Sequence, residues 1–482
     1  MTSIDEIKRK TVTGAIALGV RTGLLQIISF GGTFLLTLFL TPDVFGIFYV
    51  VSALIAFLTY FSDIGLAAAL IQKKEAIDRR DLVTTFTLQQ VIVISLCITA
   101  YVALPWIQPF YKLSQEGVYL FIALIVAFFL SSLKTIPSVI LERRLEFNRL
   151  ILPQILETLI FNIASVGFAV VGMGIRSFTY AVMLRGIVGL IAMYAVQPWK
   201  PALGFSKESS KKLLSFGVPF QFNSFLALLK DDLFTLFLGK VLPFQQVGYI
   251  GWAKKWAEAP LRLIMDSVVK VTFPAYSRLQ DHPEKLSRAV ERSIFFILIF
   301  LAPLSVGMMF FIQPFVDLVP RYVKWEPALF SFMLFVVASL IAGISTPLIN
   351  ALNAIGNITT SLKFMVFWTV FTWFVAPFAL FKFGFNGFAL TALLMSLSVG
   401  AVIMVTKRYI SLRIGTVVAP ALVSSGVLAL VLGAYRFVIP VSWGSLFFGI
   451  VLGAFVYLGI LYLGFRTVLF EHIASVRTIL KK

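Results

Sequence analysis

Between Gly248 and Gln280 the chain reads GYIGWAKKWAEAPLRLIMDSVVKVTFPAYSRLQ. The stretch is apolar enough to cross a bilayer, yet Lys254, Glu258, Arg262, Asp266 and Lys270 recur at every fourth residue with alternating sign. A helix brings residues four apart together, so neighbouring rungs can form ion pairs that lower the cost of burying the ladder. Successive steps of four drift around a 3.6-residue helix, so the ladder is not one straight stripe. Some rungs can face a cavity and others neighbouring helices. Pro260 withdraws a backbone donor in the middle and predicts a kink. A helix lying flat on the membrane surface is the competing reading. Counting this segment as a span decides which side of the membrane every later loop faces.

Composition places the whole chain in a bilayer. Hydrophobic residues make up 59% of the 482 and charged residues 13%, with a mean hydropathy of +0.95. A soluble globular protein carries roughly 25% charge. Apolar runs recur at the length of about 20 residues that crosses the hydrocarbon as helix, without the alternation of barrel strands. The runs predict fourteen spans, at 13–40, 45–71, 82–105, 116–140, 151–172, 177–197, 213–239, 247–272, 289–313, 327–350, 360–382, 385–407, 416–438 and 443–465. The N-terminal MTSIDEIKRK is followed by an apolar segment with no clear cleavage site, which reads as a retained first helix.

With the N-terminus inside, 26 of the 41 Lys and Arg fall in inside segments or at the inside ends of spans and 7 in outside loops. That bias over short loops orients the chain with both termini cytoplasmic. Removing the 247–272 span would reverse every later loop and destroy the bias, which argues against the surface helix. The net charge of +19 then follows from topology and requires no nucleic-acid partner.

Chemistry of the usual enzymatic kinds has little material here. Cys97 is the only cysteine, and His282 and His472 are the only histidines, both in predicted loops or tails. The expectation is no metal, no cofactor and no enzyme. All outside loops are short, which argues against a glycan polymerase or ligase with an extracytoplasmic catalytic loop. Gly172-Met-Gly174 reads as a turn, and Gln26, Asn162, Gln221 and Asn223 can bond either a glycan or neighbouring helices.

An internal repeat organises the chain. Thr37-Leu-Phe-Leu matches Thr235-Leu-Phe-Leu, Gly46 matches Gly248, and Asp63 matches Asp266. Each matched segment closes the hairpin that opens a six-span half, and both halves begin inside, so the repeats are parallel. The expected fold class is an all-α integral membrane protein with 14 transmembrane helices. Two six-helix lobes, 1–205 and 206–410, are related by a pseudo-two-fold repeat. Two extra C-terminal helices and a cytoplasmic tail follow at 411–482.

Ionisable residues within the spans mark the candidate site. The bases are Arg21, Lys134, Arg185, Lys230, Lys254, Lys255, Arg262 and Lys270; the acids are Asp63, Glu157, Asp231, Asp232, Glu258 and Asp266. Each costs at least about 2.5 kcal/mol at mid-bilayer, so they should face partners or water. Depth along the helices matches Arg21 with Asp63, and Asp231 and Asp232 with Lys254 and Lys255. Such pairs can lock two hairpins together or line a polar cavity, and both can hold at once. Arg21, Lys230, Lys254, Lys255 and Arg262 are the candidate substrate contacts. Asp63, Asp231, Asp232, Glu258 and Asp266 are cavity acids that either position these bases or bind a coupling cation, Na+ or H+.

Four motifs carry a family resemblance: PDVFGIFYVVSALIAFLTYFSDIGLAAALIQKKE (42–75), LERRLEFNR (141–149), VTFPAYSRLQDHPEKL (271–286) and NALNAIGN (350–357). Together the chain resembles the polysaccharide-transporter branch of the MOP flippase superfamily, and within it Wzx-type exporters of the colanic and teichuronic acid kind. The resemblance implies two six-helix lobes forming a V, with helices 1, 2, 7 and 8 lining the cleft. It implies alternating-access transfer of an oligosaccharide on undecaprenyl pyrophosphate to the outer leaflet of a bacterial or archaeal cytoplasmic membrane. Glycosyltransferases and a polymerase of the same pathway are the implied partners, beside membrane lipids. A small-molecule exporter of the related MATE kind is the alternative.

Overall fold

The computed structural model describes residues 23–73, 75, 77–222 and 225–480, with side chains apart from those of 216–222, 225–227, 266, 267, 270, 271 and 471–480. The regular elements among the described residues are all helices, and the chain groups into two compact units, 1–248 and 249–482. Among the described residues eleven helices are long and apolar enough to cross a membrane, so the protein is a multi-pass membrane protein. These eleven correspond to the expected spans 2–6 and 9–14. The other three differ for separate reasons. Gly23–Phe39 (α1) is a shorter apolar helix, the expected span 213–239 includes residues 223 and 224, which lie outside the described residues, and the 247–272 region carries its charge ladder.

In the first unit, α2 (Pro42–Phe61) begins on a proline, whose missing N–H falls where a helix needs no donor. The helix does not run to residue 71 as the apolar run predicts. It stops at Ser62, and the backbone turns through left-handed Ile64 (φ 45°) and Gly65 (φ 74°) before α3 (Leu66–Gln72). Asp63 stabilises the new start: both of its carboxylate oxygens accept from the Ala67 N–H at 3.1 Å. Such a carboxylate at a helix start satisfies an orphan donor and meets the positive end of the helix dipole.

The next span, α4 (Arg79–Val102), is followed by the short α5 (Leu104–Tyr111). The fourth span is broken in the same manner as the second, into α6 (Gln115–Ser132) and α7 (Thr135–Arg143), with Leu133 and Lys134 at the junction. The two short pieces, α3 and α7, pack together with α10 (Lys207–Phe222) and the start of α4. Leu66, Leu70, Phe86, Ile136, Val139 and Leu213 form their shared apolar core.

Arg143, at the end of α7, closes this small bundle. Its guanidinium donates to the carbonyls of Leu70 at 2.7 Å, Lys73 at 2.5 Å and Glu75. Beside it Lys73 donates to Asp81 at 2.6 Å, and that bond holds its ammonium above the ordinary lysine range. Hydrogen bonds from a charged donor contribute about 1.5–3 kcal/mol. Arg143→Ala is therefore expected to lower the thermal denaturation midpoint of the purified protein clearly. Arg144→Ala, at an exposed neighbour, should leave the midpoint in place; equal midpoints for both variants would refute the capping role.

The unit continues through Leu145 (φ 57°) into α8 (Phe147–Val170) and α9 (Arg176–Val196), an antiparallel pair joined by the Gly172–Gly174 turn. Helix α9 also packs on α6, and α2 packs on α6 and on α11 (Phe225–Val241). At the Pro42 end, α2 meets the first turn of α12 (Phe244–Arg278) backbone to backbone. A Cβ built on Gly46 would overlap the Phe244 carbonyl oxygen, and one built on Gly248 would overlap the Pro42 carbonyl oxygen. Each glycine lies four residues after the carbonyl that receives the other, so the contact is reciprocal.

The opening stretch of sequence is thus a single helix. α12 has 35 residues and runs on through Pro260 and Pro274. Its length of about 52 Å exceeds the roughly 30 Å of a bilayer's hydrocarbon. The sequence predicts an amphipathic connector at 276–292. Instead α12 reaches Arg278, a short turn follows, and α13 (Pro283–Leu318) begins at once, so the charges of that region ride on two long helices.

In the second unit Trp252 of α12 stacks on Trp325 of a 3-10 segment (Pro320–Ala328), with ring centroids 5.3 Å apart, and both are fully buried with Tyr322 and Phe332. Beyond it lie α14 (Leu329–Ala354), α15 (Ile358–Phe383), α16 (Asn386–Ser396), α17 (Val399–Thr406), α18 (Ile414–Val438) and α19 (Trp443–Leu480). α18 and α19 share a core with α13, and the Tyr457 hydroxyl donates to the Ile299 carbonyl at 2.8 Å.

Candidate functional site: a charged cavity in the first unit

A cavity of about 720 Å³ lies among α2, α6, α8, α9 and α11 of the first unit. That volume is within the roughly 300–1,000 Å³ typical of small-ligand sites. Its wall carries Lys134, Glu157, Arg185, Asp231 and Asp232, with the hydroxyls of Ser52, Thr59, Tyr60 and Ser131 between apolar side chains.

Lys134 is placed by the helix break in which it sits. Gln90 and Ser132 exchange hydrogen bonds at 3.1 and 3.2 Å, Gln89 donates to Thr135 at 2.9 Å, and Tyr194 donates to the Leu133 carbonyl at 3.0 Å. Side chains from α4 and α9 thus satisfy the backbone and hydroxyls at the junction and fix the lysine between them. Its Nζ lies 2.5 Å from Oε1 of Glu157, with the two side chains only 12% and 13% exposed. Charge-assisted bonds of that length are the strong ones, and low solvent access leaves this one little screened.

Glu157 also faces Arg185, whose Nε lies 3.8 Å from Oε2. The glutamate fits because α9 has glycine opposite it: a Cβ on Gly189 would overlap the carboxylate. Arg185 rests over the Phe161 ring at 5.8 Å from its centroid. Phe161 belongs to a stack with Phe48 and Phe178, in which the last two have centroids 4.1 Å apart. The Arg185 side chain is 52% exposed. Lys134 is therefore absorbed by its partner, while Arg185 is held by carboxylate and ring and still offers part of its guanidinium to the cavity.

Of the residues expected from sequence, Asp231 and Asp232 line this cavity; Lys230 precedes them on α11 and is not part of its wall. Arg262 pairs with Glu258 on α12 at 2.7 Å, as the spacing of four predicts. Lys254 and Lys255 lie on the same helix within the second unit, whereas Asp231 and Asp232 belong to the first. Asp63 caps α3. Arg21 lies outside the described residues, as do the side chains of Asp266 and Lys270.

Lys134, Glu157 and Arg185 stand among the intramembrane charges of the sequence without being singled out there. The signal was present. Lys134 lies seven residues before Leu141 and Glu157 eight after Arg149, so depth matching across the LERRLEFNR loop pairs them.

Among solved structures, the chain resembles the lipid II flippase MurJ in an inward closed conformation. The TM-score is 0.76 at 16% identity, over 94% of this chain and 100% of that one. It also resembles an inward-facing multidrug resistance MATE family transporter of the MOP superfamily, with a TM-score of 0.61 at 17% identity over 82% of this chain and 98% of that one. The fold is thus the one these membrane transporters share. Within that fold class, the chain belongs to the polysaccharide biosynthesis protein family, whose profile matches residues 35–329. It is 25% identical over 373 residues to the lipopolysaccharide biosynthesis protein WzxC of Escherichia coli (strain K12), covering 75% of this chain and 74% of that protein. It is 23% identical over 320 residues to the succinoglycan biosynthesis transport protein ExoT of Rhizobium meliloti (strain 1021), covering 64% and 62%.

Proposed function

We propose that the protein is a flippase for cell-surface polysaccharide synthesis. It moves an oligosaccharide linked to undecaprenyl pyrophosphate from the cytoplasmic to the outer leaflet by alternating access. Membership of the polysaccharide biosynthesis family across 35–329 carries the proposal, and a charged cavity walled by membrane helices supports it. A cavity of this kind gives a polar cargo somewhere to lie while its lipid tail stays in the bilayer.

In this reading fourteen helices form two six-helix lobes, 1–205 and 206–410, and two further helices, with both termini on the cytoplasmic side of the cytoplasmic membrane. The reciprocal Gly46 and Gly248 contact supports the pseudo-two-fold relation, because matched positions of the two repeats make matched contacts. Spans 1, 2, 7 and 8 line the path, with Arg21, Lys230, Lys254, Lys255 and Arg262 touching the substrate. The acids Asp63, Asp231, Asp232, Glu258 and Asp266 orient these bases or take a coupling Na+ or H+. The lipid-linked substrate comes from glycosyltransferases of the pathway and passes to its polymerase.

Deleting the gene in its host is expected to remove the surface polysaccharide and leave its lipid-linked precursor in the inner leaflet. The intact gene restores export, and Arg262→Ala does not, at equal protein level. Equal level is expected because the Arg262 side chain is 67% exposed, and an exposed i,i+4 pair contributes only about 0.3–0.5 kcal/mol. Efflux of small molecules with intact surface glycan would instead support the MATE-like reading.

A further inference from the structure

The connection between α9 and α10 is a strap bound along α4. Residues 198–206 run without helix or turn. Two hydroxyls of α4 hold the backbone: the Gly204 N–H donates to Thr87 Oγ1 at 2.9 Å, and the Ser206 N–H to Thr84 Oγ1 at 3.1 Å. Gly204 lies flat on the helix, where a Cβ would come within 2.9 Å of a Val83 methyl. Trp199 anchors the other end edge-on to the buried Phe86, with ring centroids 4.9 Å apart.

Thr84 and Thr87 lie about 8 and 12 Å along α4 from its start at Arg79. α4 is one of the helices long and apolar enough to span a membrane, so the strap sits at the border between headgroups and hydrocarbon. Amides at that depth need partners, and the two threonines supply them. Side chains alternate in an extended chain, so with Gly204 turned to α4 its neighbours Leu203 and Phe205 point away from it. They are 78% and 64% exposed. Exposed bases flank the pair: Lys200 before it, and Lys207 and Lys211 after it, one turn apart on α10. A lysine stem can lie along apolar surface while its ammonium stays in the headgroup layer.

We propose that this strap binds an anionic phospholipid of the leaflet on its side of the membrane, with Leu203 and Phe205 among the acyl chains and Lys200, Lys207 and Lys211 at the headgroup. Charge complementarity selects the occupant. The apolar pair alone accepts any lipid, whereas each lysine near the surface favours an anionic one about fivefold. The proposal concerns the protein's hold on its bilayer and is independent of the cargo it moves.

The test is photocrosslinking in native membranes, with p-benzoylphenylalanine placed at Phe205 or, as reference, at Leu152. Leu152 is 52% exposed in the second turn of α8, and Arg149 one turn earlier donates to the Val196 carbonyl where α9 ends. Both probes therefore sit on one face of the membrane at a similar depth. Lipids attached at Phe205 are expected to be enriched about tenfold in anionic over zwitterionic species, relative to those at Leu152. Lys200→Gln, Lys207→Gln and Lys211→Gln together should abolish the enrichment at unchanged protein level and denaturation midpoint, because all three side chains are exposed. Removing as much charge elsewhere in the chain, by Arg288→Gln, Lys407→Gln and Arg408→Gln, should leave it in place. Equal lipid composition at Phe205 and Leu152 overturns the proposal. So does enrichment that survives loss of the three lysines, or that falls equally in the second triple variant. An adduct at Phe205 with protein, whether a second copy of this chain or another, overturns it too.

Discussion

Gly46→Ala and Gly248→Ala are each expected to destabilise the protein by about 3 kcal/mol, the upper end of what overpacking costs. The added methyl group meets a backbone carbonyl, of Phe244 in one case and Pro42 in the other. A side chain could rotate away; a carbonyl inside a helix cannot without moving the helix. The double variant should cost clearly less than the sum of the two, because one separation of α2 from the first turn of α12 relieves both overlaps. The measurement is the unfolding midpoint of purified protein, with Gly167→Ala as reference. Nothing lies within 4 Å of a Cβ there, and replacing glycine inside a helix should gain up to about 1 kcal/mol. If Gly46→Ala behaves like Gly167→Ala, the close crossing does not exist.

The second large effect is expected at Glu157. Removing one partner of a buried ion pair costs about 3–5 kcal/mol, because the other charge is left without compensation. At 12% and 13% exposure, Lys134 and Glu157 fall on the buried side of that distinction. Glu157→Gln keeps the shape that fits against Gly189 and removes only the charge. Its denaturation midpoint should drop sharply, and adding Lys134→Met should restore most of the loss. A double variant no more stable than Glu157→Gln alone would show that the pair's charge is not what holds the junction.

The two effects lie at opposite ends of what the sequence makes legible. The spans follow directly from apolar runs, because crossing hydrocarbon demands an uninterrupted length of them. The breaks in the second and fourth spans do not. They depend on a left-handed Ile64, a conformation its side chain disfavours, and on Gln89, Gln90 and Tyr194 arriving from other helices to satisfy the junction at Leu133 and Lys134. Tertiary partners of that kind leave no local pattern.

The charged residues of the site were all visible by type. Their partners were legible only where chain geometry is simple: the spacing of four found Arg262 with Glu258. Asp63 shows the limit. Its intramembrane position gives no hint of the helix start it caps, and its depth-matched Arg21 lies outside the described residues. Gly46 and Gly248 were legible as matched positions, but not as the place where two backbones touch.

The Lys134–Glu157–Arg185 triad also bears on how the chain enters the membrane during synthesis. Lys134 precedes Glu157 by 23 residues. At about 5–20 residues per second it is made one to five seconds before its counter-charge. Until then the lysine costs at least about 2.5 kcal/mol wherever lipid surrounds it. Glu157 cancels that cost, and Arg185 on the following helix adds a second countercharge to the same carboxylate. The helices from α6 to α9 therefore gain by leaving the insertion machinery together, as one neutralised packet, and the order of charges along the chain sets the size of that packet.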